Sequence, residues 1–171
     1  MIYLYAIALV LIVCFGLIVL RGAPYVPSHR RQLRKAFKSL YELSSSDTLV
    51  DLGSGDGIVL AEARRCSAKV IGYELNPLLI AIAKLRFLHD EYTTVKMRDY
   101  LLLDALPDGT TVVYTFTTGR NIDAIHKKLI HWSRENELFF ISYGFTIADK
   151  KPLRHLGAMY LYHYPHIANK T

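Results

Sequence analysis

The sequence predicts an α/β protein, a Rossmann-like, doubly wound parallel sheet preceded by one N-terminal transmembrane helix. Three observations predict it. From residue 48 onward, β-branched and apolar runs alternate with stretches of helical spacing, as a parallel sheet with crossover helices requires. The first of those runs ends in Gly53-Ser54-Gly55-Asp56-Gly57 and opens directly into a helical pattern. Ahead of everything lie residues 3–20, eighteen positions without a charged side chain.

The apolar start is long enough to form about 27 Å of helix, close to the thickness of a hydrocarbon core. Tyr3 and Tyr5 stand where headgroup-level aromatics are expected. A cleaved signal peptide fits less well. No Lys or Arg precedes the run, and Arg21-Gly22-Ala23-Pro24 offers no small-x-small cleavage site. The charge distribution sets the expected orientation. The net charge is +6, and it is concentrated in Arg21, Arg30, Arg31, Arg34, Lys35 and Lys38, a stretch without Asp or Glu. Beyond residue 38 the basic and acidic side chains cancel. A basic cluster beside an apolar span predicts a single-pass membrane protein with its domain on the cytoplasmic side, or the matrix side of a mitochondrion. Residues 1–38 would then contact membrane lipids. Nucleic acid is not the expected partner, because such binders spread basic residues over a domain face.

Residues 22–28 read as a Pro-containing link. Ser28 is placed to cap a helix over 29–43, with Leu33, Phe37, Leu40 and Leu43 on one stripe. The expected organisation is an anchor at 1–21, a link with a basic amphipathic helix at 22–45, and a globular domain at 46–171. That domain is large enough for one core. Half of the chain is apolar and 21% is charged, which excludes global disorder. Cys14 and Cys66 fall in different segments, so a disulfide between them is not expected, and a reducing compartment fits.

Within the domain, strands are expected at 48–52, 69–75, 93–98, 111–117, 138–143 and 159–164. Helices are expected at 57–66, 76–89 and 121–134. Asn76-Pro77 carries the N-cap and first-turn signals of the second of these. With one strand after the fifth, the sheet should be abbreviated at its C-terminal edge.

A strand ending in glycines lets backbone approach a ligand. Glu74, ending the second strand, can accept hydrogen bonds from ribose hydroxyls. Both features suit dinucleotides and S-adenosylmethionine (SAM) alike. Three details favour SAM. The glycines run G-x-G-x-G, and Ile58 stands where a dinucleotide fingerprint wants the last glycine. Asp51 would repel a pyrophosphate but suits the cationic amino group of a methionine. Asp99 follows the third strand, within reach of an adenine amino group. The residues expected at the cofactor are Asp51, Gly53, Ser54, Gly55, Asp56, Gly57, Glu74, Leu75, Asn76, Asp99 and Tyr100.

Asp51-Leu52-Gly53-Ser54-Gly55-Asp56-Gly57 and Gly72-Tyr73-Glu74-Leu75-Asn76-Pro77, with Gly22-Ala23-Pro24-Tyr25-Val26-Pro27 upstream, carry a resemblance. The chain resembles a family of membrane-anchored class I SAM-dependent lysine methyltransferases. That family includes the mitochondrial enzymes acting on the ATP synthase c subunit and the adenine nucleotide translocase, and has bacterial relatives. The resemblance covers the chain to about residue 100, and 143–154 loosely. It implies a class I methyltransferase sheet and lysine N-methylation of a membrane or membrane-proximal protein. It also implies that Asp51, Gly53, Gly55, Glu74, Asn76 and Asp99 line the SAM pocket, and that Pro24, Tyr25, Val26 and Pro27 form part of a lid or substrate entrance. One segment departs from related chemistries. Tyr114-Thr115-Phe116-Thr117-Thr118-Gly119-Arg120 is not the Asn/Asp-Pro-Pro-Tyr of adenine-amino and amide methyltransferases.

Methyl transfer from a sulfonium needs alignment and exclusion of water more than a strong base. A lysine must still lose its proton. Asp56, Thr115, Thr117 and Tyr25 are the candidates near the mouth, with Thr115 also placed at the substrate entrance, and no single residue stands out as a catalytic base. The seven histidines lack the spacing of a metal site. A lipophilic small molecule or lipid as acceptor, and a non-catalytic SAM-binding module, are the alternative readings.

Overall fold

The computed structural model describes residues 1–5, 9, 29–117 and 119–166. Residues 2–5 and 9 are helical and exposed. Among the described residues no helix is long and apolar enough to cross a membrane. This corrects the expected single-pass placement with an inward-facing domain. Hydropathy and length set a necessary condition for a span and do not by themselves make one. Most of the expected anchor, Ser28 as a cap, and Pro24, Tyr25, Val26 and Pro27 lie outside the described residues.

The elements run α1 (Arg30–Lys35), which continues into a wider π-helical turn (Ala36–Leu40), β1 (Thr48–Leu52), α2 (Ile58–Arg64), β2 (Lys69–Glu74), α3 (Pro77–Arg86) and β3 (Thr93–Met97). A short 3-10 turn (Tyr100–Leu102) precedes β4 (Val112–Phe116), α4 (Gly119–Trp132), β5 (Leu138–Tyr143), β6 (Arg154–Leu156) and β7 (Met159–Tyr164). The sheet order is β3-β2-β1-β4-β5-β7-β6. The first five strands pair in parallel, and β7 lies antiparallel between β5 and β6. The chain thus reverses direction across the sheet between β1 and β4, where open α/β sheets form a crevice at the strands' C-terminal ends.

One correction concerns the far edge. Two strands follow β5, not one, so the sheet is not abbreviated there in strand number. Arg154, His155 and Leu156 are all exposed, so the three-residue strand lacks the alternation that marks a half-buried strand. Backbone pairing to β7 defines it instead.

Each face of the sheet buries its own core. Leu33, Phe37, Leu40 and Leu43, the stripe expected from sequence, pack with Leu60 of α2, Val70, Tyr114 and Ile141 on one face. Ile122, Ile125, Leu129 and Trp132 of α4 cover Val50, Ile71, Val113 and Phe140 on the other. Tyr160, Tyr162 and Tyr164 of β7 belong to that second core, as sheet packing. The basic helix is fastened by a buried carboxylate. Arg34 Nε donates to Glu62 Oε2 at 2.7 Å, and Arg30 lies 3.5 Å from Oε1. Two of the basic residues expected to face lipid therefore point at the domain.

Candidate functional site

The glycine-rich turn folds back over β2. The backbone N–H groups of Gly53 and Ser54 both donate to the Tyr73 carbonyl, each at 2.9 Å. Two glycines make this approach possible. At Gly72, in the middle of β2, a Cβ would lie 2.5 Å from Ser54 Oγ and 2.8 Å from Leu60 Cδ1. At Gly57 φ is +82°, and a Cβ would meet the Phe87 ring at 2.9 Å. No other residue type seats the turn against the sheet and α3 without displacement.

Glu74 clamps that arrangement. Its Oε2 accepts from Gly55 N at 2.9 Å, while Oε1 accepts from Leu75 N at 2.7 Å and Asn76 N at 2.8 Å. Each carboxylate oxygen offers two lone pairs, so Oε1 is filled and Oε2 has one left. Glu74 can take one ribose hydroxyl without rearrangement. Taking both requires release of Leu75 N or Asn76 N. Asp51 is the opposite case. It sits in register with Gly72 and Tyr114, is 1% exposed, and its Oδ2 has no hydrogen-bond partner among the described residues. Burial, and then the charge of Glu74, hold its carboxyl well above the usual carboxylate range. An ionised carboxylate so placed is destabilising until a cation reaches it. The amino group of a methionine moiety is such a cation, and this donor set fits SAM on that ground.

The other expected residues divide by what already occupies them. Asp56 is committed to structure, with Oδ2 accepting from Arg86 Nη2 at 2.9 Å and Oδ1 from Ile58 N. Asn76 caps α3, its Oδ1 accepting from Leu78 N and Leu79 N, and Leu75 is exposed beside it. Asp99 caps the turn after β3 by accepting from Leu101 N at 2.8 Å. Tyr100 accepts from Asn121 Nδ2 at 3.3 Å and packs against the α4 core. Thr115 needs a correction. It is fully buried and its hydroxyl donates to the Leu52 carbonyl at 2.9 Å, so it stitches β4 to β1 and does not present a hydroxyl to an entrance. Two hydroxyls stay buried without a partner among the described residues, those of Ser54 and Thr117. Sequence reasoning missed Gly72, whose signal is a glycine inside a strand pattern. It also missed Phe116 and Tyr143, which read as ordinary strand residues and stack at the ends of β4 and β5.

No family model matches the chain. It is 33% identical over 99 residues to the Caenorhabditis elegans lysine N-methyltransferase of the ATP synthase c subunit, covering 53% of this chain and 52% of that protein. It is 40% identical over 63 residues to the adenine nucleotide translocase lysine N-methyltransferase of Mus musculus, covering 36% of this chain and 27% of that protein. The chain thus spans about half the length, or less, of these curated relatives. Among solved structures, an RNA methyltransferase from Salinibacter ruber in complex with S-adenosyl-L-homocysteine superposes with a TM-score of 0.72 at 23% identity, over 85% of this chain and 98% of that one. The fold is a Rossmann-like class I methyltransferase fold.

Proposed function

We propose that this chain is a SAM-dependent methyltransferase whose acceptor is the side-chain nitrogen of a lysine in a protein. The observation that carries the cofactor is the buried Asp51 carboxylate beneath the glycine-rich turn, whose Oδ2 has no partner among the described residues. The curated relatives, named as lysine N-methyltransferases, support the acceptor.

On this reading Asp51 would pair with the cationic amino group of the cofactor, and the glycine turn would admit its body against β1. Glu74 Oε2, which accepts from Gly55 N, would take a ribose hydroxyl with its remaining lone pair. When bound, SAM supplies a methyl group on a sulfonium, which passes to the acceptor's lone pair as the carbon–sulfur bond breaks and its electrons return to sulfur. The acceptor must arrive neutral, and burial among uncharged side chains favours that form.

Calorimetric titration of the full chain with S-adenosylhomocysteine (SAH) tests the cofactor, with saturable one-to-one binding expected. Silence there, with binding of NADH instead, would overturn it. For the acceptor, incubating a proteome with labelled SAM and the chain should place label on lysine as a 14-Da increment. Label confined to the organic extract would reject a protein substrate.

A further inference from the structure

We infer that His126, Tyr164 and Lys150 form a pH-sensitive latch, which holds the segment 144–153 against β7 while the His126 imidazole is neutral and releases it once that ring is protonated. The latch stands apart from the glycine-rich turn and does not depend on what binds there. The segment leaves the C-terminal end of β5 and leads into β6. Backbone ties both of its ends. Gly144 N donates to the Ala158 carbonyl at 2.8 Å, and Leu153 N to the Leu161 carbonyl at 2.7 Å. Between those ends the attachments are tyrosines of β7. Ile147 N donates to Tyr162 OH at 3.0 Å, and Lys150 Nζ lies 4.6 Å from the centre of the Tyr164 ring. Residues two apart share one face of a strand, so the segment is fastened to a single pair of rings.

Tyr164 is buried, and its hydroxyl meets His126 Nδ1 of α4 at 2.6 Å. What else lies in reach decides where the proton sits. Among the described residues no second acceptor stands within hydrogen-bond distance of that hydroxyl. The phenol therefore donates and Nδ1 accepts, as a neutral imidazole protonated at Nε2 allows. Burial, with Tyr162 beside it, pushes the Tyr164 hydroxyl far above the ordinary phenol value, so it keeps its proton. An imidazolium carries N–H at both nitrogens and accepts nothing. Protonation of His126 turns Nδ1 into a donor, and the phenolic proton loses its acceptor inside the core.

The same event places two cations around one phenol. The His126 and Tyr164 ring centres are 5.7 Å apart, and the Lys150 ammonium already lies on the Tyr164 ring. The charged groups that reach His126 are Lys150 and Asp149 of the segment and Asp123 of α4. Burial holds the imidazole below its ordinary value, Lys150 lowers it further, and Asp123 and Asp149 oppose both. The unfolded value is about 6.5 and the folded one is lower. The latch therefore contributes fully above that pH and is lost as pH falls through the folded value. Lys150 is the partner that gives way, because His126 is fixed on a helix and Tyr164 in a strand. At its β5 end the segment also meets α4, where a Cβ on Gly119 would lie 3.4 Å from the Phe145 ring.

The test follows the full chain by NMR from about pH 5 to about pH 8, reading the titration of the His126 ring and the exchange protection of the Ile147 amide. In the wild type the Ile147 protection factor should fall about tenfold as pH drops through the His126 midpoint. His126→Asn offers a carbonyl that accepts the phenol at every pH, and should leave that protection flat. Lys150→Met should raise the His126 midpoint by removing the neighbouring cation. Ile147 protection that stays constant through the wild-type midpoint would overturn the latch. So would an equal fall in His126→Asn, or an unmoved His126 midpoint in Lys150→Met.

Discussion

Two halves of the sheet's C-terminal edge treat polar groups in opposite ways. At β1 and β2 the chain gathers charge. Asp51 is buried beside Glu74, and three backbone N–H groups are directed onto the Glu74 carboxylate. At β4 and β5 it places a neutral hydroxyl and two stacked rings. The difference teaches that one sheet edge can leave a carboxyl oxygen and a hydroxyl without a partner among the described residues while their neighbours Glu74 and Thr115 are hydrogen-bonded. The charged half is poised against itself, since two carboxylates near each other raise the cost of ionising the more buried one. The neutral half is strained only by a missing hydrogen bond.

The largest expected effect falls on the charged half. Asp51→Asn should weaken SAH by about 100-fold, ~3 kcal/mol, the cost of leaving the ligand's ammonium without its counter-ion. The same change should make the ligand-free chain more stable at neutral pH. The folded Asp51 carboxyl lies above its unfolded range, so its stabilising contribution is full at low pH and is lost as pH rises through the raised value. The melting-temperature gain of the variant over wild type should therefore grow from acid to neutral pH. A gain that is flat with pH would break the comparison at its root.

Glu74→Gln should behave differently, because that carboxylate is satisfied. Replacing an acceptor oxygen with an amide N–H that faces backbone donors costs stability and SAH affinity together, about 1–3 kcal/mol in each, by thermal melts and calorimetry. Opposite signs for stability at position 51 and like signs at 74 would separate a poised group from a clamp. Gly72→Ala comes next. Its Cβ would sit 2.5 Å from Ser54 Oγ, and overpacking of this kind costs about 1–3 kcal/mol. Adding Ser54→Gly should recover part of the melting temperature, and no recovery would place the clash at Leu60. The smallest effect belongs to the neutral half. Tyr143→Phe removes the bond to Gln32 and should lower stability by about 0.5–1.5 kcal/mol while SAH affinity stays at the wild-type value.

The strands at 48–52, 138–143 and 159–164 were legible to the residue, because β-branched and aromatic runs there are bounded by turn residues. The cap at Asn76 and the buried stripe of the first helix were legible for similar reasons, local hydrogen bonding and a period of 3.6 residues. β6 was not, because three exposed residues carry no pattern. The roles of Asp56 and Thr115 were not legible either. Their partners, Arg86 and the Leu52 carbonyl, are 30 and 63 positions away, and no local spacing announces such a bond. Most of the apolar run at 3–20 lies outside the described residues, and among those described no helix is long and apolar enough to cross a membrane.

The order of strands and helices, the glycine-rich turn and the acidic residues around it were written in the sequence, since each depends on neighbours a few positions apart. Which of those acids is free to bind was decided only by tertiary structure. Asp51, Asp56, Glu74 and Asp99 look alike in sequence, but folding gives Asp56 an arginine, Asp99 a turn to cap and Glu74 three backbone donors. It leaves Asp51 buried, with one oxygen unpartnered among the described residues. The reason is that burial and long-range hydrogen bonding set the energy of a carboxylate, and both are properties of the packed chain.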